Sequence, residues 1–360
     1  MAGDLVVNGR FLGQRVTGVQ RYGHEVLRSW DRMAGEGRLD RRVRVVVPLG
    51  TVPPRYENLE VRSCRSSLHG HAWEQVALPR HLRRGDTLLS LTNSGPIWVR
   101  RHALVVHDAA VFDVPQAFTW RFRAAYQVLL RAHAIGPTRL LTVSSFSRTR
   151  LAAALPLGEG GIAVVGEGAD HLGHFGAGDP AAVARLGLGS RPYVLGVSSL
   201  DPRKNFRLLM EAAPDLRELG LDVAIVGAPH GPVFRGEHED DLVRFVGYVD
   251  DPALVALYRG AFAFVHPARY EGFGLTPLEA MSFGVPVVAS DIPVLRETLG
   301  SAAAFVNPER SSEVVDVLRT WVERPDERTS FADAGRRHVQ RSTWDRASER
   351  LLVAVREVLP

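Results

Sequence analysis

The chain has 360 residues, 45% hydrophobic and 23% charged, with a formal net charge of +4. That length and balance suit two cored domains and exclude a disordered chain. The single cysteine, Cys64, excludes an intramolecular disulfide and a multi-cysteine zinc site, and it agrees with a reducing cytoplasm; no apolar run reaches membrane-spanning length, and the apolar part of Met1 to Arg10 is too short for a signal peptide.

Leu5 to Asn8 reads as a short strand, followed by a glycine-containing loop, Gly9 to Gly18. Val19 to Trp30 has helical spacing, with Val19, Tyr22, Val26 and Leu27 on one side. Gly18 permits close approach of a phosphate at this helix start, and Gln20 and Arg21 follow it. Val43 to Pro48, Thr87 to Leu91 and Ala103 to Val106 read as further strands. His107-Asp108 ends the last of these, where a histidine can either point at a ligand or hold a loop by hydrogen bonds.

Phe118 to Ala134 and Ser147 to Leu155 are predicted helices, with Ser147 as the N-cap of the second, and Leu140 to Val143 and Ile162 to Val165 are predicted strands. Residues 1–180 hold 23 Arg against 15 Asp+Glu, a balance of +8, whereas the rest of the chain has a balance of −4. Within that basic half, Thr119 to Arg131 sets Arg121, Arg123 and Arg131 among Trp120, Phe122, Tyr126, Val128, Leu129 and Leu130. That mixture suits either an interfacial helix at an anionic membrane or a helix packing its apolar side on the sheet.

Gly173 to Pro192 is rich in Gly and Ala, which places a domain boundary there, between domains at 1–175 and 190–340. The second half repeats the alternation of strand and helix, with strands at Tyr193 to Val197, Val223 to Val226, Leu242 to Val246, Ala263 to Val265 and Val285 to Ala289. Strands alternating with helices predict parallel sheets covered on both faces, with ligands beyond the carboxyl ends of the strands. Residues 311–360 read as helical, with Trp344 and an apolar pattern of Leu351, Leu352, Val355 and Val358.

Two loops of this half carry chemistry. Ser199-Leu200-Asp201-Pro202-Arg203-Lys204-Asn205-Phe206 contains Lys204, the only lysine in a chain with 44 basic residues. An ammonium is a compact charge that can reach a phosphate where a planar guanidinium does not fit; Arg203 beside it is either a partner in that task or a solvated surface residue. In Tyr270-Glu271-Gly272-Phe273-Gly274-Leu275-Thr276-Pro277-Leu278-Glu279-Ala280-Met281, a glycine loop feeds a helix start and can offer backbone N–H groups to an oxygen-rich ligand. Thr276, Pro277 and Glu279 fit the N-cap, N1 and N3 positions of a capping box, so Glu279 is either a cap or a ligand. No local rule requires a carboxylate at Glu271.

The segment E-G-F-G-L-T-P-L-E-A-M, followed by Gly284-Val285-Pro286-Val287-Val288-Ala289-Ser290, resembles the two-glutamate signature of retaining glycosyltransferases of family 4. Asn8-Gly9-Arg10-Phe11-Leu12 together with Thr17-Gly18-Val19-Gln20-Arg21-Tyr22 resembles the mannosyl- and rhamnosyltransferase-like subgroup of bacterial surface polysaccharide synthesis. The resemblance implies a GT-B fold: two Rossmann-like domains with parallel sheets facing across a cleft, the first binding the acceptor and the second the nucleotide sugar, and a C-terminal helix within 341–360 returning to the first domain. It places Glu271 at the donor sugar, Glu279 at the ribose, and Arg203 and Lys204 at the diphosphate with Gly18. Gly272, Phe273, Gly274 and Leu275 supply loop amides, and Tyr248-Val249 lies at the base. His107 assists, and Gln20, Arg21 and Asp108 lie on the acceptor side. Where family members more often carry Pro-Asn, this chain has Gly166-Glu167.

The function implied is metal-independent transfer of a hexose from a nucleoside diphosphate sugar to a glycan or lipid-linked hydroxyl, with no cofactor and no Asp-x-Asp metal motif. Expected partners are the nucleotide sugar, the acceptor and an anionic membrane contacted peripherally from the cytoplasm, but not nucleic acid. A sugar-nucleotide epimerase or a non-catalytic sugar-nucleotide-binding protein would share the architecture. A dinucleotide-dependent dehydrogenase is excluded by the lack of G-x-G-x-x-G after the first strand.

Overall fold

The computed structural model describes residues 3–198, 201–227 and 242–357, so Ser199, Leu200 and Val358 lie outside the described residues. The chain forms two compact units. One joins the segment ending at Gly168 to the segment starting at Trp344, and the other is Ala169–Thr343.

The first unit is built on a wholly parallel sheet of β1 (Leu5–Asn8), β2 (Val43–Pro48), β3 (Glu60–Cys64), β4 (Thr87–Ser90), β5 (His102–Val105), β6 (Thr138–Thr142) and β7 (Ile162–Val164). Their spatial order is β3-β2-β1-β4-β5-β6-β7. The second unit repeats this plan with β8 (Tyr193–Val197), β9 (Asp222–Val226), β10 (Val243–Gly247), β11 (Ala263–His266), β12 (Val287–Ser290) and β13 (Ala303–Val306), in the order β10-β9-β8-β11-β12-β13. Central strands such as β1, β4, β8 and β12 are buried along their whole length, which explains their continuous apolar runs. In both units the chain runs outward on one side of its first strand and then returns to the other side. The reversal leaves a crevice beyond the β1/β4 ends and another beyond the β8/β11 ends, the points where open α/β sheets take ligands.

Several expectations need correction. Two edge strands, β3 and β13, escaped the sequence reading. The unit boundary falls at Gly168/Ala169 and not within Gly173 to Pro192. The Gly- and Ala-rich segment is part of the second unit: Ala169 N donates to Ser342 O at 2.8 Å and Asp179 N to Pro252 O at 2.9 Å. The cap of the Ser145–Ala154 helix is Ser144, whose hydroxyl accepts from Ser147 N, so Ser147 is the capped residue. The last helix, Trp344–Arg356, lies on the Gly18–Gly35 helix, where Ser29 Oγ donates to Asp345 at 2.6 Å and Trp30 Nε1 to Ser348 O at 3.4 Å.

Candidate functional site

The β8/β11 crevice is shaped by two tight turns. After β8, Asp201 caps the Pro202–Lys204 turn, and Asn205 ends it in the left-handed region at φ +54°. The Asn205 side chain is buried and donates to Pro267 O at 3.0 Å and Pro308 O at 2.8 Å, which fixes the turn against the loop after β11. Arg269 N also donates to Arg203 O across these loops at 2.8 Å. The turn thereby delivers Lys204 Nζ to within 2.5 Å of Glu271 Oε1. His266, the last residue of β11, places Nε2 2.9 Å from the same oxygen, and its Nδ1 lies 3.5 Å from Thr276 Oγ1.

Burial pushes the Glu271 carboxyl up, but the Lys204 ammonium and the His266 hydrogen bond outweigh it and hold the group far below the ordinary carboxylate range. Glu271 is therefore a fixed carboxylate, with its side chain 12% exposed. Arg203 is clamped on Asp201, with Nη2 2.7 Å from Oδ2 and Nε 3.0 Å from Oδ1. Among the described residues no group of three or more His, Cys, Asp or Glu side chains is placed to hold a metal ion.

The helix after the glycine loop is Leu275–Ser282, capped by Gly274 and not by Thr276. Gly274 sits at φ +93°, and a Cβ there would lie 2.6 Å from Leu295, so both backbone and space demand glycine. Glu279 is not the acid of a capping box. It is 5% exposed, accepts from Tyr258 Oη at 2.7 Å and lies 3.1 Å from His171 Nε2. Gly272 and Gly274 are buried, Phe273 and Leu275 are half-buried, and Tyr248 beyond β10 is exposed with Val249 half-buried.

In the first unit, His107 is buried at the end of β5. Its Nε2 lies 2.9 Å from Leu91 O, its Nδ1 3.3 Å from Glu167 Oε1, and the Tyr22 ring meets it edge-on at 4.9 Å. Both ring nitrogens are thus engaged within the unit. Asp108 accepts from Ala110 N at 2.8 Å. Gln20 completes a capping box with Thr17, and Arg21 pairs with Glu25 at 3.7 Å. A Cβ on Gly18 would meet nothing, so this helix start is open to an approaching ligand. Gly166 adopts φ +72°, which proline cannot reach, so the departure from Pro-Asn has a backbone cause.

Residues 183–338 match the family model for Glycosyl transferases group 1. That stretch is similar to group 1 glycosyltransferases. Over 231 residues the chain is 30% identical to the O-antigen chain mannosyltransferase B of Escherichia coli, covering 59% of each chain. It is 24% identical over 341 residues to the O-antigen chain mannosyltransferase RfbU of Salmonella typhimurium, covering 91% of this chain and 93% of that one. For the relatives of 30% identity or more that match first, the chain spans only 50–59% of their length. HepE of Anabaena, solved in complex with UDP and glucose, superposes with a TM-score of 0.71 at 17% identity over 99% of this chain and 100% of that one. The fold class is GT-B.

The matched stretch contains every residue of the Lys204–Glu271–His266 cluster and the Glu279–Tyr258 pair. The sequence reading named Lys204, Glu271 and Glu279 but passed over His266, Tyr258 and His171. His266 carries the same signal that singled out His107, a histidine closing an apolar strand. Tyr258 and His171 gave no such signal, because only the folded chain brings them to Glu279.

Proposed function

We propose that the protein is a retaining glycosyltransferase that moves a hexose, mannose- or rhamnose-like, from a nucleoside diphosphate sugar to a hydroxyl of a glycan or lipid-linked acceptor. The observation carrying this reading is the Lys204–Glu271–His266 cluster at the β8/β11 crevice, beside a glycine loop that feeds a helix N-terminus. The bond from the anomeric carbon to the diphosphate breaks with its electron pair leaving on the diphosphate oxygen. Lys204 and the loop amides stabilise that charge as it develops. The acceptor oxygen bonds to the anomeric carbon on the same face, and its proton passes to the departing diphosphate. Glu271 orients Lys204 and the donor sugar, and Glu279, held by Tyr258, suits the ribose. The names of the mannosyltransferase relatives support the sugar class, and the UDP complex of HepE supports the donor class.

With Lys204 supplying the cation, the reaction is metal-independent in this reading. Transfer assayed with a panel of nucleotide sugars in EDTA is expected to continue, and proton NMR of the product is expected to show the donor's anomeric configuration. Activity abolished by EDTA and restored by Mg²⁺, or an inverted anomeric signal, would overturn the corresponding part. Interconversion of the donor without transfer would indicate an epimerase.

We also propose peripheral contact with an anionic membrane. Among the described residues no helix is long and apolar enough to cross a membrane. The Trp120–Ile135 helix buries only Leu130, His133 and Ala134, contains no acidic residue, and exposes Trp120, Phe122, Val128 and Ile135 beside Arg121. Its inner side packs Leu130 and Ala134 against Leu104 and Leu140, so packing on the sheet uses only part of its apolar surface. Each basic residue near an anionic surface contributes about 1 kcal/mol, so Arg121→Ala with Arg123→Ala is expected to weaken binding to phosphatidylglycerol-containing vesicles roughly 30-fold. Wild-type binding is expected to fall with salt. Equal binding of variant and wild type would remove the membrane from the reading.

A further inference from the structure

Glu271 uses its two oxygens unequally. Oε1 faces both Lys204 Nζ at 2.5 Å and His266 Nε2 at 2.9 Å, whereas among the described residues no hydrogen-bonding partner reaches Oε2. A carboxylate only accepts, so both groups donate to Oε1 and His266 Nε2 carries a proton. The other ring nitrogen, Nδ1, faces Thr276 Oγ1 at 3.5 Å, in the first turn of the Leu275–Ser282 helix.

The two donors differ in freedom. His266 ends β11, where its backbone pairs with Ala289 of β12, and its side chain is buried. The Phe264 ring lies nearly parallel to it, 14° off at 6.3 Å between centroids. Lys204 instead ends the short Pro202–Lys204 turn, its side chain is 19% exposed, and its four-carbon stem is flexible. One donor to Oε1 is therefore fixed and the other is able to move.

The proposed reaction makes opposing demands on Lys204. An ammonium paired with Glu271 is partly neutralised just where a departing diphosphate needs positive charge. Turning it wholly to the diphosphate would strip a mostly buried carboxylate of its cation, which is strongly unfavourable when nothing else donates to that group. A second, fixed donor on the same oxygen meets both demands. His266 remains on Oε1 as the ammonium turns, and Oε2 is left to accept from a sugar hydroxyl.

We propose that His266 is a positioning residue of the transfer reaction: it holds Glu271 through Oε1 so that Lys204 can turn to the outer phosphate of the donor, the one bonded to the sugar. The inference rests on the glycosyl-transfer reading, and its test separates the two. UDP and GDP are titrated calorimetrically into the full chain, with UMP and GMP as controls that lack the outer phosphate, and kcat is measured with the nucleotide sugar that the wild type turns over. His266→Phe keeps a ring but no donor. His266→Asn keeps an amide near the place of Nδ1 that is too short to reach Oε1, and His266→Gln sets an amide donor near the place of Nε2.

His266→Phe and His266→Asn are each expected to weaken diphosphate binding and lower kcat about tenfold, the loss of one hydrogen bond to a charged group. Monophosphate binding is expected to stay unchanged, which also reports that the variants are folded, and His266→Gln is expected to restore both losses. In a Glu271→Gln background, where no carboxylate charge is left behind, His266→Phe is expected to leave diphosphate affinity unaltered. Diphosphate affinity and kcat unchanged in both donor-less variants, monophosphate and diphosphate weakened alike, or His266→Gln no better than His266→Phe each overturn the inference and leave the transfer reading standing. A wild type that binds no nucleoside diphosphate and no nucleotide sugar overturns the transfer reading and the inference with it.

Discussion

Lys204→Ala is expected to lower kcat 10²–10³-fold, the roughly 2.7–4 kcal/mol lost when one preorganised donor is removed from a developing anion. The same change removes the nearest cation from Glu271, a carboxylate whose side chain is 12% exposed, so it will destabilise the second unit as well. The two effects separate in the double variant Lys204→Ala/Glu271→Ala. Without the orphaned carboxylate the melting temperature recovers, whereas turnover does not. If kcat stays near normal while the melting temperature falls, Lys204 is only the structural partner of Glu271.

In the proposed mechanism the carboxylate positions Lys204 and the sugar and not the base, so Glu271→Gln is expected to cut transfer about a hundredfold while changing UDP or GDP affinity little. It also has a pH signature. The folded carboxyl is held below its ordinary value of 4.5, so its contribution to stability is complete above pH 4.5 and is lost as pH falls through the lowered folded value. Urea unfolding is therefore expected to show the wild type more stable than Glu271→Gln at neutral pH, with the gap narrowing below pH 4.5. A gap independent of pH would mean that the ion pair contributes no net stability. Equal losses in transfer and nucleotide affinity would place Glu271 at the nucleotide.

The buried central strands were legible because a strand covered on both faces must be apolar throughout. β3 and β13 were not. β3 is Glu60-Val-Arg-Ser-Cys at an edge, where one side is solvated and polar residues are tolerated, and β13 is a four-residue edge strand beginning with two alanines. The charged loops of the second unit stood out because each lies within a few residues of a strand end and one holds the lone lysine. Arg10 stood out within the Asn8 to Leu12 segment, but its buried partner Glu74, 64 positions later and 2.9 Å from Arg10 Nε, did not, because no local pattern marks the π-helical turn that turns that carboxylate inward. The boundary was misplaced because composition reports how a segment could flex, while its hydrogen bonds decide which unit it joins.

The last helix also dictates an order of events during synthesis. Ser29 waits for Asp345, 316 positions later, and Trp30 for Ser348, 318 positions later. On the ribosome the amino-terminal unit emerges first yet finishes last, with the apolar side of its Gly18–Gly35 helix uncovered until the far end of the chain arrives. The continuous Ala169–Thr343 unit can complete its core in the meantime. Chains halted before Trp344 would therefore carry a finished Ala169–Thr343 unit tethered to a first unit whose Gly18–Gly35 helix is still uncovered.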